Sequence, residues 1–243
     1  MSSNQESDRA RSRKGGEPPE SESAPGGAGD DAAIESTADE DGRVTRAREL
    51  RRERRDQIQQ AAERVFASKG FHAASISDVI EAAGTSRGTF YLYFDGKRAI
   101  FDALLDELFG KLKACVRPVD LTAEARPLEQ LRANVACAMK VVAENRDLTR
   151  ILYRTGQGVD PEVDRKVAAF NAGVTELIRR ALRGGMQIGI VRQLDDQLVA
   201  QCIYGSLKEI VFHSLEARVF DDKPLAHIVD EILRYNIEGL RGP

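Results

Sequence analysis

A chain of 243 residues, 42% of them hydrophobic, carrying 36 basic and 39 acidic side chains for a net charge of −3, has the length for one large domain or two small ones. It holds no apolar run of about 18 residues, so no membrane-spanning helix is expected, and its polar, acidic N-terminus is unlike a secretory signal. Cys115, Cys137 and Cys202 are far apart, odd in number and set in apolar helical patterns, which predicts buried thiols in a cytoplasmic protein rather than a disulfide framework or a zinc site.

The charge is unevenly spread. Residues 1–42 carry 4 basic and 11 acidic side chains, residues 43–98 carry 12 basic and 7 acidic, and the remainder is close to neutral. The first segment is rich in Ser, Gly, Glu, Asp and Pro, and it buries too little apolar surface to offset its ordering entropy. It is expected to be a disordered acidic tail over 1–42. A dense arginine run follows (Arg43, Arg46, Arg48, Arg51, Arg52, Arg54, Arg55) and leads into a helical pattern of Ile58, Ala61, Ala62, Val65 and Phe66. Gly70 stands where a helix C-cap is favoured.

Ser75 is a candidate N-cap, with Asp78 three residues on to complete a capping box. Ile76, Val79, Ile80 and Ala83 give the next short helix its inner face, and Gly84 ends it after about two turns. Ser86 can cap a third helix running to Tyr93 or Phe94. Two short helices joined by a tight glycine-containing turn make a helix-turn-helix. Phe90 and Phe94, four apart, should face inward against Ile76, Val79, Val65 and Phe66, leaving Tyr91 and Tyr93 outward.

From Lys97 every pattern is helical. Ile100, Phe101, Leu104, Leu105, Leu108 and Leu112 form one stripe, and Leu128, Leu131, Val135, Ala138, Met139 and Val142 another. A short piece around Leu148, Ile151 and Leu152 ends at Gly156-Gln157-Gly158. Asp160-Pro161 starts a long helix expected to close at Gly184-Gly185. The segment 195–218 has an apolar arc too wide for one contact surface, and the helix after Pro224 has a cleaner stripe. Surplus apolar surface on two adjacent helices suits a two-fold interface. The expected fold class is all-α: a three-helix domain with a helix-turn-helix over 43–98, basic arm included, and a larger helical domain over 99–243 that carries the dimerisation surface; the resemblance described next adds effector binding to the second.

The order Gly70-Phe71, Ser75-Ile76-Ser77-Asp78-Val79, Ala82-Ala83-Gly84, Ser86 to Phe94 and Lys97 resembles the TetR family of one-component regulators over about residues 52–105. Thr85 stands where the family usually has a Val-like residue, and Arg98 where an acidic one is common, adding positive charge near the DNA. The resemblance implies a homodimer on double-stranded DNA, a helical ligand-sensing domain and, most often, repression of transcription at a palindromic operator.

Elementary chemistry assigns the DNA-facing residues. A recognition helix enters the major groove with its first residues toward base edges, here Arg87, Gly88 and Thr89, with the capping Ser86 a further DNA-binding candidate. Arg87 is the side chain able to grip guanine bidentately, and Gly88 lets the backbone come close. Tyr91 and Tyr93 carry hydroxyls for phosphate oxygens, Ser75 and Ser77 open the preceding helix where phosphate is favoured, and Lys97 is a further backbone anchor. Arg48, Arg51, Arg52 and Arg55 are possible extra contacts, along the backbone or in the adjacent minor groove. The family reading places an effector pocket among 124–145, 160–184 and 195–218, with Met139, Tyr153, Phe170 and Tyr204 as candidate lining and an apolar small molecule as the expected ligand. No cofactor or metal is expected. The rival readings are a helical interaction scaffold without specific DNA binding and, with less support, a small helical enzyme: His72, His213 and His227 each stand alone, with no catalytic spacing around them.

Overall fold

The computed structural model describes residues 30–155, 160–216 and 223–240, with side chains described for 43–153, 160–214 and 223–237. Among these residues all regular structure is helical and there is no strand. The helices are α1 (Asp30–Lys69), α2 (Ile76–Ala83), α3 (Arg87–Tyr91), α4 (Lys97–Cys115), α5 (Pro127–Glu144), α6 (Arg146–Thr155), α7 (Pro161–Gln187), α8 (Asp196–Glu216) and α9 (Leu225–Leu240). The chain divides into two units at Glu49 and Leu50, with α1 entering both.

The second unit is built around a core to which α1, α2, α3, α4, α6 and α7 all contribute. Ile58, Phe66, Val79, Phe90, Ile100, Phe101 and Leu105 are almost completely buried there. The expected meeting of Phe90 and Phe94 with Val65, Phe66, Ile76 and Val79 is realised in this cluster. A smaller cluster of Leu182, Val191 and Ala200 joins α7 to α8.

Helices α4 and α7 run parallel, because their contacts advance together along both chains. Arg98 pairs with Glu162, Asp106 with Lys166, and the Phe109 ring meets Phe170 edge-on at 6.1 Å. Helix α5 packs on α4 and on α9, and Arg132 of α5 grips Asp230 of α9 through two hydrogen bonds of 2.6 and 3.1 Å.

The structure departs from the sequence reading at several points. Residues 1–29 and Gly156-Gln157-Gly158 lie outside the described residues, but 30–42, expected to be disordered, is helical backbone at the start of α1. Adding turns to an existing helix costs little. The arginine run is likewise helical rather than an arm before the first helix. Helix α3 stops at Tyr91, where the Leu92 and Tyr93 amides turn to i−3 carbonyls. Helix α7 passes through Gly184-Gly185 and reverses only near Gly189, whose φ is 75°. At Gly185 the glycine serves close packing instead, since a Cβ there would lie 2.7 Å from Val191 Cγ2.

The cysteines also differ from expectation. Cys115, the last residue of α4, is bonded to Cys137 of α5, and Cys202 is exposed. Sequence distance hid the pair: α4 and α5 fold back on each other and bring the two Cα atoms to 5.5 Å, within the span a disulfide requires.

Candidate DNA-binding surface

The helix-turn-helix begins with a complete capping box. Asp78 N–H donates to Ser75 Oγ at 3.2 Å, and Ser75 N–H donates to Asp78 Oδ2 at 2.9 Å. Lys69, at the end of α1, donates to the same carboxylate at 2.8 Å. The Lys69 ammonium, with the Ser75 bonds behind it, holds the Asp78 carboxyl down near 2. Gly84 closes α2 at φ 57°, a left-handed conformation suited to glycine, while Gln57 of α1 donates to the Ala83 carbonyl at 3.0 Å and fixes the turn.

Helix α3 follows directly. Thr89 N–H donates to Ser86 Oγ at 3.1 Å, and the two hydroxyls share a hydrogen bond of 2.8 Å. This cap sets the direction of a helix too short to hold itself. Phe90, with no exposed surface, anchors it from below. Arg87 and Gly88 are exposed on the opposite side, Tyr91 is 47% exposed and Leu92 72%. Arg87 has no recorded intramolecular partner among the described residues. Around Gly88 a Cβ would meet only Ser86 Oγ at 3.9 Å, so no neighbour in the fold requires glycine there. Glycine inside a helix costs about 1 kcal/mol relative to alanine, and the fold offers no internal compensation at this position.

Other expected contacts are placed differently. Tyr93 is half-buried against the core rather than fully outward, beyond the end of α3 at Tyr91. Lys97 turns into its own domain: its Nζ donates to the carbonyls of Phe71, His72 and Ala74 at 3.0, 2.9 and 3.1 Å and lies 4.9 Å from the Phe71 ring centre. All three ammonium protons are thereby engaged, and Lys97 braces the turn that presents Ser75 instead of offering a free charge to phosphate. Arg98, expected to add positive charge, is instead neutralised by Asp160 and Glu162 at 2.8 and 2.7 Å. Against its own desolvation, the Asp160 carboxyl is held below the ordinary range by Arg98 and by the Glu162 and Val163 amides.

In the arginine run, Arg48, Arg51, Arg52 and Arg55 are all exposed; Arg55 stacks on Phe94 at 5.0 Å and donates to Gln59, and Arg52 lies 4.0 Å from Asp56. Arg55 thus packs its guanidinium on Phe94 while remaining exposed. Ser77 is exposed beside the cap. The sequence reading missed Leu92, Gln57 and the packing role of Arg55. Leu92 had a readable signal, since it sits two residues from each inward phenylalanine and so on the opposite face.

In the C-terminal part, Tyr153 donates to the Lys208 carbonyl at 2.6 Å and Tyr204 to Asn171 Oδ1 at 2.6 Å. Burial pushes both phenols up, Tyr204 to about 12. With Phe170 beside Asn171, these residues meet where α6, α7 and α8 join. Met139 is half-buried on α5, a helix in which no residue is fully buried. Among the described residues no group of three or more His, Cys, Asp or Glu side chains could hold a metal, and no helix is long and apolar enough to cross a membrane.

Comparison with known proteins agrees with this architecture. Residues 58–104 match the family described as bacterial regulatory proteins, tetR family, and residues 124–211 match the tetracyclin repressor-like C-terminal domain. The chain is 28% identical over 156 residues to the fatty acid metabolism regulator protein of Bacillus subtilis, covering 64% of this chain and 80% of that one. Its structure is similar to that of the fatty acid degradation regulator FadR of Bacillus halodurans (TM-score 0.66, 29% identity, 78% of this chain and 97% of that one). It is also similar to the transcriptional regulator FadR of Bacillus subtilis in complex with stearoyl-CoA (TM-score 0.64, 26% identity, 76% and 98%). A capped helix-turn-helix followed by a helical C-terminal domain, matched in both parts, leads to one assignment: the chain belongs to the TetR family and is a DNA-binding transcriptional regulator.

Proposed function

We propose that this regulator is a cytoplasmic repressor that holds a palindromic operator as a homodimer and releases it on binding a lipophilic small molecule. The observation that carries the reading is the start of α3, where Arg87 projects from a capped, anchored helix without an intramolecular partner and beside a glycine the fold itself does not need. Ser86, Arg87, Gly88 and Thr89 meet base edges, with Arg87 reading guanine. Tyr91, Ser75 and Ser77 meet phosphates, Arg51 extends the charged surface, and Arg48 is a further cation available to DNA. Tyr93 and Lys97 support the surface from within, and Arg52 and Arg55, exposed on α1, add positive charge beside it.

Exposed apolar side chains on α8 and α9 support the two-fold interface. Leu198 is 61% exposed and Tyr235 75%. The half-covered apolar side of α5, with Met139 on it, and the tyrosine-lined junction of α6, α7 and α8 support an apolar effector site, as does the relative solved with an acyl-CoA. Ligand would favour a conformer whose recognition helices no longer match the spacing of about 34–36 Å set by one DNA turn.

The test is a gel shift with the duplex upstream of the protein's own gene, with and without stearoyl-CoA. Expected is specific binding that weakens about 5- to 150-fold with ligand, the usual span of such coupling. Failure to bind any specific duplex without ligand at low salt would favour a helical scaffold, and binding indifferent to acyl-CoA would refute that effector class.

A further inference from the structure

We propose that Cys115 and Cys137 form a reversible redox couple that responds to hydroperoxide and sets how firmly the DNA-binding helices are held. The two residues close a loop between the end of α4 and the middle of α5, with Cα atoms 5.5 Å apart. A protein that reads genomic DNA works where thiol reductants keep most cysteines reduced, and disulfides found there are mostly of the redox-sensing or catalytic kind.

Three features fit a sensor rather than a staple. First, the sulfurs differ in access: Cys137 is exposed, and Cys115 is 3% exposed. Second, the chain within four residues of either cysteine carries no carboxylate; Lys111 and Lys140 pair with Glu107 and Glu144, which leaves Lys113 and Arg117, flanking Cys115, as the local positive charge. Third, the loop is held without the bond. Asn134 donates to the Arg117 carbonyl at 2.7 Å, and Gln130 links the Asp120 amide to the Asp120 and Ala125 carbonyls. After reduction the thiols therefore stay within reach of each other.

The chemistry balances as follows. The Cys137 thiolate attacks the outer oxygen of a hydroperoxide, releasing an alcohol or water and leaving a sulfenic acid. The Cys115 thiol then attacks that sulfur, the S–S bond forms and water leaves. In total, two thiols and one hydroperoxide give a disulfide, one alcohol and one water. A cellular dithiol reverses the step through a mixed disulfide, becoming a disulfide itself as both cysteine thiols are restored.

The consequence for DNA follows from α4. Its first residue braces the α1–α2 turn, and Cys115 lies about 27 Å further along the same helix. The bond pins that far end to α5, which is tied in turn to α9 through Arg132 and Asp230. A pinned strut leaves less freedom to be lost on binding DNA. The oxidised protein therefore binds its operator more tightly.

The experiment uses the full chain, reduced with dithiothreitol or treated with a small excess of hydrogen peroxide. Alkylation mass spectrometry counts the thiols, and anisotropy measures affinity for the duplex upstream of its own gene. Expected are three alkylated cysteines after reduction and one, Cys202, after peroxide, with at least threefold tighter binding in the oxidised state. Cys115→Ser and, at the exposed partner, Cys137→Ser should bind at the reduced-state affinity under both treatments, while Cys202→Ser should respond as the unaltered protein does. A bond that dithiothreitol leaves closed in the folded protein, thiols that peroxide does not rejoin, or equal or weaker binding after oxidation would overturn the proposal.

Discussion

Replacing Lys97 by methionine separates two roles that a lysine at the start of α4 could play. In the structure its ammonium donates to three carbonyls, two of them on the buried residues Phe71 and Ala74. Hydrogen bonds to charged groups contribute about 1.5–3 kcal/mol each, least where water can replace them. Counting the two part-buried bonds at the low end and neglecting the exposed bond to His72, the loss comes to about 3 kcal/mol. For a chain of this size each kcal/mol lowers the melting temperature by about 2–4 °C, so Lys97→Met should melt about 6–12 °C lower by circular dichroism at 222 nm. Its DNA affinity should fall with little change in the slope of log K against log salt. If Lys97 were instead a phosphate anchor, the melting temperature would hardly move and the slope would drop by about 0.9 per subunit, or about 1.8 for a dimer. That second pattern would refute the turn-bracing role.

Further outcomes follow from the same geometry. Asp78 is held near 2 by Lys69 and Ser75, so its contribution to stability is full above the ordinary carboxylate range and is lost as pH falls through that range toward 2; Asp78→Asn should flatten this part of the acid-unfolding curve. Arg98→Glu puts a third carboxylate beside Asp160 and Glu162 and should melt below Arg98→Ala, by a margin that shrinks in 1 M salt, about the concentration at which such surface interactions are screened within 3 Å. Breaking the Cys115–Cys137 bond, which spans 22 residues, should cost about 3 kcal/mol of stability in the chain-entropy account, read as a lower urea midpoint under dithiothreitol.

The parts legible in the sequence were those governed by local rules. Ser75 with Asp78, Gly84, and Ser86 before Phe90 each name a cap, a stop or an anchor within one turn of chain, and the structure realises all of them. What stayed hidden depended on partners far along the chain. Lys97 finds carbonyls 23 to 26 residues earlier, and Arg98 finds carboxylates 62 and 64 residues later. Both looked like free charge because charge pairing is not periodic. The cysteine pair was missed for the same reason, as helical spacing says nothing of how α5 returns along α4. Helix α3 ended early because a five-residue helix is shaped by its cap and by Phe90 more than by its own pattern.

The central claim is that α3 reads DNA sequence through Arg87. Its most direct test is the affinity of full-length protein and of Arg87→Ala for the duplex upstream of its own gene and for a scrambled duplex at the same salt. The account predicts that the substitution weakens specific binding by about 5- to 150-fold per reading head, the equivalent of about 1–3 kcal/mol, while binding to the scrambled duplex hardly changes. Equal losses on both duplexes, or no loss on either, would contradict it.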